Sequence, residues 1–175
     1  MKTRHLTRAA LITALYVILT VNPVFSTFSY GMIQLRISEA LTLLPFFMGY
    51  PAAVGLFLGV VISNIAGGLG MLDIVFGSLI TLAAGIFTAR ARSLYTAGIY
   101  PVLFNAFGIG LILYLLLGNR PVDPFLTAEI SPYLRIVLNY LAHVFFVGLG
   151  QFGAVYVLGV PLMKFLHNKV NLREM

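Results

Sequence analysis

Six times between Leu6 and Phe165 the chain enters a long apolar stretch, and inside those stretches charged side chains are almost absent. A soluble domain carries about 25% charged residues; here 9% are charged and 60% are hydrophobic. Mean hydropathy is +0.99. Runs of this kind are read as transmembrane helices. The expected fold is an all-α integral membrane protein, multi-pass in the cell membrane, with 175 residues forming a single unit.

The six spans fall at about residues 6–21, 37–49, 52–66, 72–89, 97–117 and 132–165. The first stops at Asn22-Pro23, because proline disfavours helix in the residue before it. The second is short. Gly49-Tyr50-Pro51 turns the chain into the third span, and Gly67, Gly68 and Gly70 connect the third to the fourth. Ser131-Pro132 reads as an N-cap and first-turn pair for the last span, which exceeds the ~20 residues a bilayer requires and should tilt or project.

Lys and Arg set the orientation. Six spans leave both termini on one side, and that side collects Lys2, Arg4, Arg8, Arg90, Arg92, Lys164, Lys169 and Arg173. The other side holds Arg36, Arg120 and Arg135. Both termini are expected in the cytoplasm. This placement also accounts for the net charge of +6: no basic patch with interleaved aromatics is present, so nucleic acid is not an expected partner. Lys2, Arg4 and Arg8 before an apolar run resemble a signal peptide, but NPVFSTF follows the run in place of small A-x-A residues, so a retained helix is expected.

The costly feature is Gly31–Phe47, GMIQLRISEALTLLPFF, where Gln34, Arg36 and Glu39 abut an apolar run. A charge at the centre of a membrane helix costs about 2.5–3.5 kcal/mol on insertion scales, and usually pairs, lines a cavity or binds something. In a six-span topology Arg36, Glu39, Asn64, Asp73, Asn139 and His143 come to one depth near the outer face, while Asn105 and Gln151 fall nearer the midplane. The expectation is a pocket open to the outside.

Each of these residues also has a plainer role. Arg36 and Glu39, three apart, can pair on one helix face as a structural ion pair, although Glu39 lies deeper and suits a ligand acceptor. Asp73 can cap the fourth helix and Asn64 can close the third. Arg135, Asn139, His143 and Gln151 form a slanting stripe that must face the bundle, as glue between helices or as site. A lone His143 has no partner at metal-ligand spacing, so no metal is expected. Small residues recur at Ala10 and Ala14, at Gly55, Gly59 and Ser63, and at Gly77, Thr81 and Gly85. Most such motifs serve internal packing, whereas Ala10 and Ala14 can present a smooth face to another protein.

Absences narrow the function. Without cysteine the chain has no disulfide, thiolate metal site or cysteine nucleophile. It lacks G-x-x-x-x-G-K-[ST], H-E-x-x-H and G-x-S-x-G. An intramembrane enzyme built on Glu39, Asp73 and His143 is a rival, as is a stand-alone carrier, but neither a nucleophile with its base nor an inverted repeat is apparent.

GMIQLRISEALTLLPFF, NIAGGLGMLDIVFGSLITLAA, PVLFNAFGIG and FVGLGQFGAVYVLGVPL together resemble the QueT family, substrate-binding S components of energy-coupling-factor (ECF) transporters associated with queuosine precursors. The likeness runs from Gly31 to Leu162. It implies six helices with both termini inside, a solute site near the outer face, and an S component that topples in the membrane. It also implies no cofactor in this chain, since two separate ATPase subunits act through a shared transmembrane coupling subunit, met by a motif similar to Ala10-x-x-x-Ala14. A 7-deazaguanine (preQ0, preQ1 or queuine) offers N1–H and an exocyclic amine to a carboxylate such as Glu39. Its O6 would take a donor from Gln34, Asn139 or Arg36; a cationic arm would favour Asp73, and Tyr30 or a nearby Phe could stack on the ring. Another vitamin or heterocycle remains the alternative ligand. The loop from Gly118 to Ile130 carries no recognisable motif.

Overall fold

The computed structural model describes residues 3–23, 36–117, 130–170 and 172, and among these there is helix and no strand. Six helices follow in order: α1 (Thr3–Val21), α2 (Ile37–Met48), α3 (Tyr50–Gly67), α4 (Asp73–Ala89), α5 (residues 94–117) and α6 (Pro132–Val170). Four of them, α1, α3, α5 and α6, are long and apolar enough to cross a membrane; α2 and α4 are shorter apolar helices. Many large side chains point outward, among them Leu6, Ile18, Ile65, Phe145, Val157 and Phe165. The buried set instead includes Arg36, Glu39, Asn64, Asp73, Asn105, Asn139, His143 and Gln151. Polar groups inside and apolar groups outside is the pattern a lipid-embedded bundle requires, because unpaired polar groups are costly in hydrocarbon.

The short α2 sits at the centre, buried from Ser38 through Pro45. It runs as a 3-10 helix over Ile37–Leu43 and becomes α-helical over Leu44–Met48. Pro45 explains the change. In an α-helix its ring would press on the carbonyl four residues back, at Leu41, so the preceding turns tighten and the Leu44 N–H donates to the Leu41 carbonyl instead. Around α2 pack Tyr16 of α1, Leu56 and Val60 of α3, and Val155 and Met163 of α6.

Two glycines let α1 lie against α3. A Cβ at Gly55 would stand 2.6 Å from the Ala9 carbonyl oxygen, and one at Gly59 would stand 2.8 Å from the Tyr16 Cβ. The Thr13 hydroxyl crosses the same interface, 2.9 Å from both the Ala9 and Gly55 carbonyls. The Gly55-x-x-x-Gly59 motif is therefore internal packing, and its partner face is Ala9, Ile12 and Tyr16. Ala10 and Ala14, on the other side of α1, are exposed.

α3 ends where Gly68 adopts the left-handed conformation, with φ of 68°, and donates its N–H to the Asn64 carbonyl at 3.1 Å. At the start of α6, Ser131 is the N-cap and Pro132 the first residue, but the Ser131 side chain makes no capping bond. The 39 residues of α6 would extend about 58 Å as an ideal helix, well beyond a ~30 Å hydrocarbon core. Wide π-type turns interrupt α4 at Asp73–Gly77, α5 at Asn105–Ile109 and α6 at Gly153–Gly159. Such turns cluster at functional sites in proteins generally.

Candidate ligand-binding site

Glu39 projects from the 3-10 part of α2 and is 3% exposed. Its carboxylate draws donors from three other helices. Tyr16 of α1 donates its hydroxyl to Oε1. Gln151 of α6 donates to Oε2 at 2.9 Å, and Asn105 of α5 donates to the same oxygen over a longer 3.4 Å. Four helices are thus tied at one carboxylate.

A second polar group adjoins it. Arg36, extended just before α2, donates Nη1 to Asn64 Oδ1 at 3.0 Å. Asn64 passes its own amide to the Asp73 backbone carbonyl at 2.8 Å. Asn64 therefore joins the end of α3 to the start of α4 while orienting the guanidinium. Arg36 lies within electrostatic range of both Asp73 and Glu39. The capping role expected of Asp73 is not what the structure contains: its carboxylate is 1% exposed and neither oxygen accepts a hydrogen bond.

These groups enclose a chamber lined by Arg36, Glu39, Asn64, Thr81, Asn105 and Gln151, with Val60, Ile109 and Val147 completing the wall. The room between the side chains is about 10 Å³, near the minimum for one water. A solute larger than water enters only if the wall parts.

Not all the expected residues meet here. Asp73 is buried beside Gly77 and is not part of the lining. Arg36, Glu39, Asn64, Asn105 and Gln151 line the chamber, although Asn105 and Gln151 were expected at a different depth from the rest. The length of α2 accounts for this. Twelve residues, mostly 3-10, cover about 22 Å, short of the ~30 Å hydrocarbon thickness, so Glu39 need not stay at the outer edge. Asn139 and His143 are buried but do not line the chamber. Along α6, Asn139 donates to the Arg135 carbonyl at 3.0 Å and His143 Nδ1 bonds the Asn139 carbonyl at 2.8 Å, while the Tyr114 ring of α5 stands edge-on to the imidazole. Gln34 and Tyr30 lie outside the described residues.

Tyr16 and Thr81 are additions that the sequence reading missed. Tyr16 carried a usable signal, since a phenol inside an apolar helix needs a partner for its hydroxyl. Thr81 had already been noticed, but only as a small packing residue. No group of three or more metal-ligating side chains exists among the described residues, and His143 stands apart from Glu39 and Asp73. The constellation suits polar recognition and lacks a nucleophile with its base.

The QueT transporter family model matches residues 6–168. A curated relative, the "Queuosine precursor transporter QueT" of Lactococcus lactis subsp. cremoris (strain MG1363), is 40% identical over 81 residues, which are 46% of this chain and 47% of that protein. The alignment therefore spans about half the length of the relative it matches. No solved structure matches. On the family match, together with several apolar helices long enough to cross a bilayer, the chain belongs to the QueT transporter family and is a multi-pass membrane protein of the transport class, not an enzyme.

Proposed function

We propose that this chain is the substrate-binding S component of an ECF-type importer and that its solute is a queuosine precursor, a 7-deazaguanine base captured from outside. The observation that carries the reading is Glu39, a buried carboxylate on which α1, α5 and α6 converge beside a fixed guanidinium. A 7-deazaguanine presents two N–H groups on one edge for a carboxylate, and its O6 accepts from amide or guanidinium donors. Gln151, Asn105 and Arg36 are such donors at the required place. On binding, the base would take over part of the hydrogen bonding that these groups now make with Glu39.

Energy coupling belongs to partners in this reading: two ATPases and a transmembrane coupling subunit, with no cofactor held by the chain. Ala10 and Ala14 support the docking role, since they line an open apolar groove with Thr13, Val17, Leu58 and Ile62. Six spans with cytoplasmic termini fit the positions of the basic residues. Arg90 bonds Tyr50 at 2.8 Å and Lys164 bonds Tyr95 at 2.8 Å, which gathers basic side chains from α4 and α6 at the end where α3 and α5 begin. The test is calorimetry on purified protein with 7-deazaguanine bases. Glu39→Gln keeps the shape but replaces an acceptor with a donor, and affinity should fall about tenfold or more. Full affinity in that variant would remove Glu39 from the site.

A further inference from the structure

Only half of the Asn105 carboxamide is engaged. Asn105 lines the chamber from α5, is 5% exposed, and opens the wide turn at Asn105–Ile109. A carboxylate oxygen only accepts, so the half that meets Glu39 Oε2, at 3.4 Å, is the amide nitrogen. The amide oxygen stands beside that nitrogen in one plane, yet Oδ1 is buried and no donor among the described residues reaches it. Holding Glu39 in place does not account for this arrangement. Gln151 already serves the same carboxylate oxygen at the shorter distance of 2.9 Å, and Tyr16 serves the other. A buried carbonyl oxygen without a donor is costly, and this one belongs to a side chain on the wall of the space a solute would enter.

A loosely held donor beside an open acceptor fits an edge that offers an acceptor and an N–H side by side, the way carboxamides pair with nucleobases. On a 7-deazaguanine that edge is N3 with N9–H. Around the ring the order is O6, N1–H, the 2-amino group, N3 and N9–H. The chamber has matching neighbours: Glu39 takes N1–H and the 2-amino group in the proposed function, and Asn105 adjoins Glu39 Oε2 as N3 adjoins the 2-amino group. Arg36 and Gln151 remain as donors for O6. From this we infer that Asn105 reads the pyrrole edge of the base, Nδ2 donating to N3 and Oδ1 accepting from N9–H, and thereby selects a free base over an N9-substituted one. The inference rests on the proposed function and narrows its solute class. A nucleoside carries carbon on N9, so it brings no hydrogen to Oδ1 and sets its sugar against the amide.

The test is calorimetry on the full chain in one detergent. The parent base is the tighter-binding of 7-cyano- and 7-aminomethyl-7-deazaguanine, and it is compared with the same base methylated at N9 and with the same base carrying C–H in place of N3. Wild type should bind each analogue about tenfold or more weakly than the parent, the scale of one hydrogen bond lost with its buried partner left unpaired. Asn105→Leu keeps the bulk and removes both amide groups, so the parent should weaken by about tenfold or more while the analogues move less than about threefold, closing the gap. Asn105→Ala should close it likewise and serves if Asn105→Leu fails to fold. A purely structural Asn105 would weaken parent and analogues alike and leave the wild-type ratios unchanged, which overturns the inference. Equal binding of the parent and either analogue by wild type overturns it as well. Both results leave the proposed function intact. Failure of wild type to bind either parent base overturns the proposed function itself, and the inference with it.

Discussion

Replacing Gly59 by Ala should damage the chamber from outside it. The added Cβ would stand 2.8 Å from the Tyr16 Cβ, 3.1 Å from its Cγ and 3.2 Å from its Cδ1. Ordinary carbon contacts lie at about 3.5–4.0 Å, so α1 and α3 must separate by roughly 1 Å at this level. Tyr16 is fully buried and its hydroxyl is committed to Glu39, so it cannot swing aside without breaking that bond. Ala gains about 1 kcal/mol over Gly in helix propensity. Overpacking costs about 1–3 kcal/mol, and a weakened bond to a buried carboxylate adds about 1–3 kcal/mol more. The net is a destabilisation of about 1–5 kcal/mol. The chain has no tryptophan, so thermal loss of the monodisperse peak in size-exclusion chromatography is the suitable stability assay. The midpoint should drop by several degrees, and affinity for the base should fall with it. Gly148→Ala is the control, since its Cβ would meet only the Ala106 methyl, at 3.3 Å, and it should leave both readings near wild type. A Gly59→Ala protein as stable and as tight-binding as wild type would refute the coupling of helix packing to the carboxylate.

Two further substitutions separate the parts of the account. Tyr16→Phe keeps the ring and removes the donor to Glu39 Oε1, so stability should fall by about 1–3 kcal/mol; denaturation together with base titration would check it, and unchanged values in both would mean the hydroxyl contributes nothing. Ala10→Leu with Ala14→Leu fills the exposed groove on α1 and should abolish capture by the coupling subunit in a pulldown while leaving solute affinity within about twofold. Retained capture would move the docking surface elsewhere.

How much of this was legible beforehand differs from residue to residue. Apolar runs and prolines locate the helices, because in lipid the backbone must satisfy itself and proline interrupts that pattern. The identity of most polar residues in the chamber was also legible, since a buried Glu39 or Asp73 in such a chain needs a reason. What could not be read was which of them meet. Counting residues treats each span as a full crossing, whereas α2 is a short 3-10 element, and that brings Glu39 to Asn105 and Gln151. Four-residue spacing grouped His143 with Gln151, yet Gln151 lines the chamber and His143 does not, its Nδ1 bonding the Asn139 carbonyl one turn back. Nor does composition reveal that neither Asp73 oxygen accepts a hydrogen bond while both Glu39 oxygens do. That difference depends in part on where Asn64 sends its amide, to the Asp73 backbone carbonyl.

The central claim is that a buried carboxylate chamber captures a 7-deazaguanine base. Its most direct test is mass spectrometry of small molecules released from the purified wild-type protein, with calorimetric titration of the same preparation. The account predicts a retained or titratable 7-deazaguanine at one site per chain, displaced by excess free base and weakened by Glu39→Gln. A protein that retains and binds no 7-deazaguanine, or binds it equally well without the Glu39 carboxylate, would contradict it.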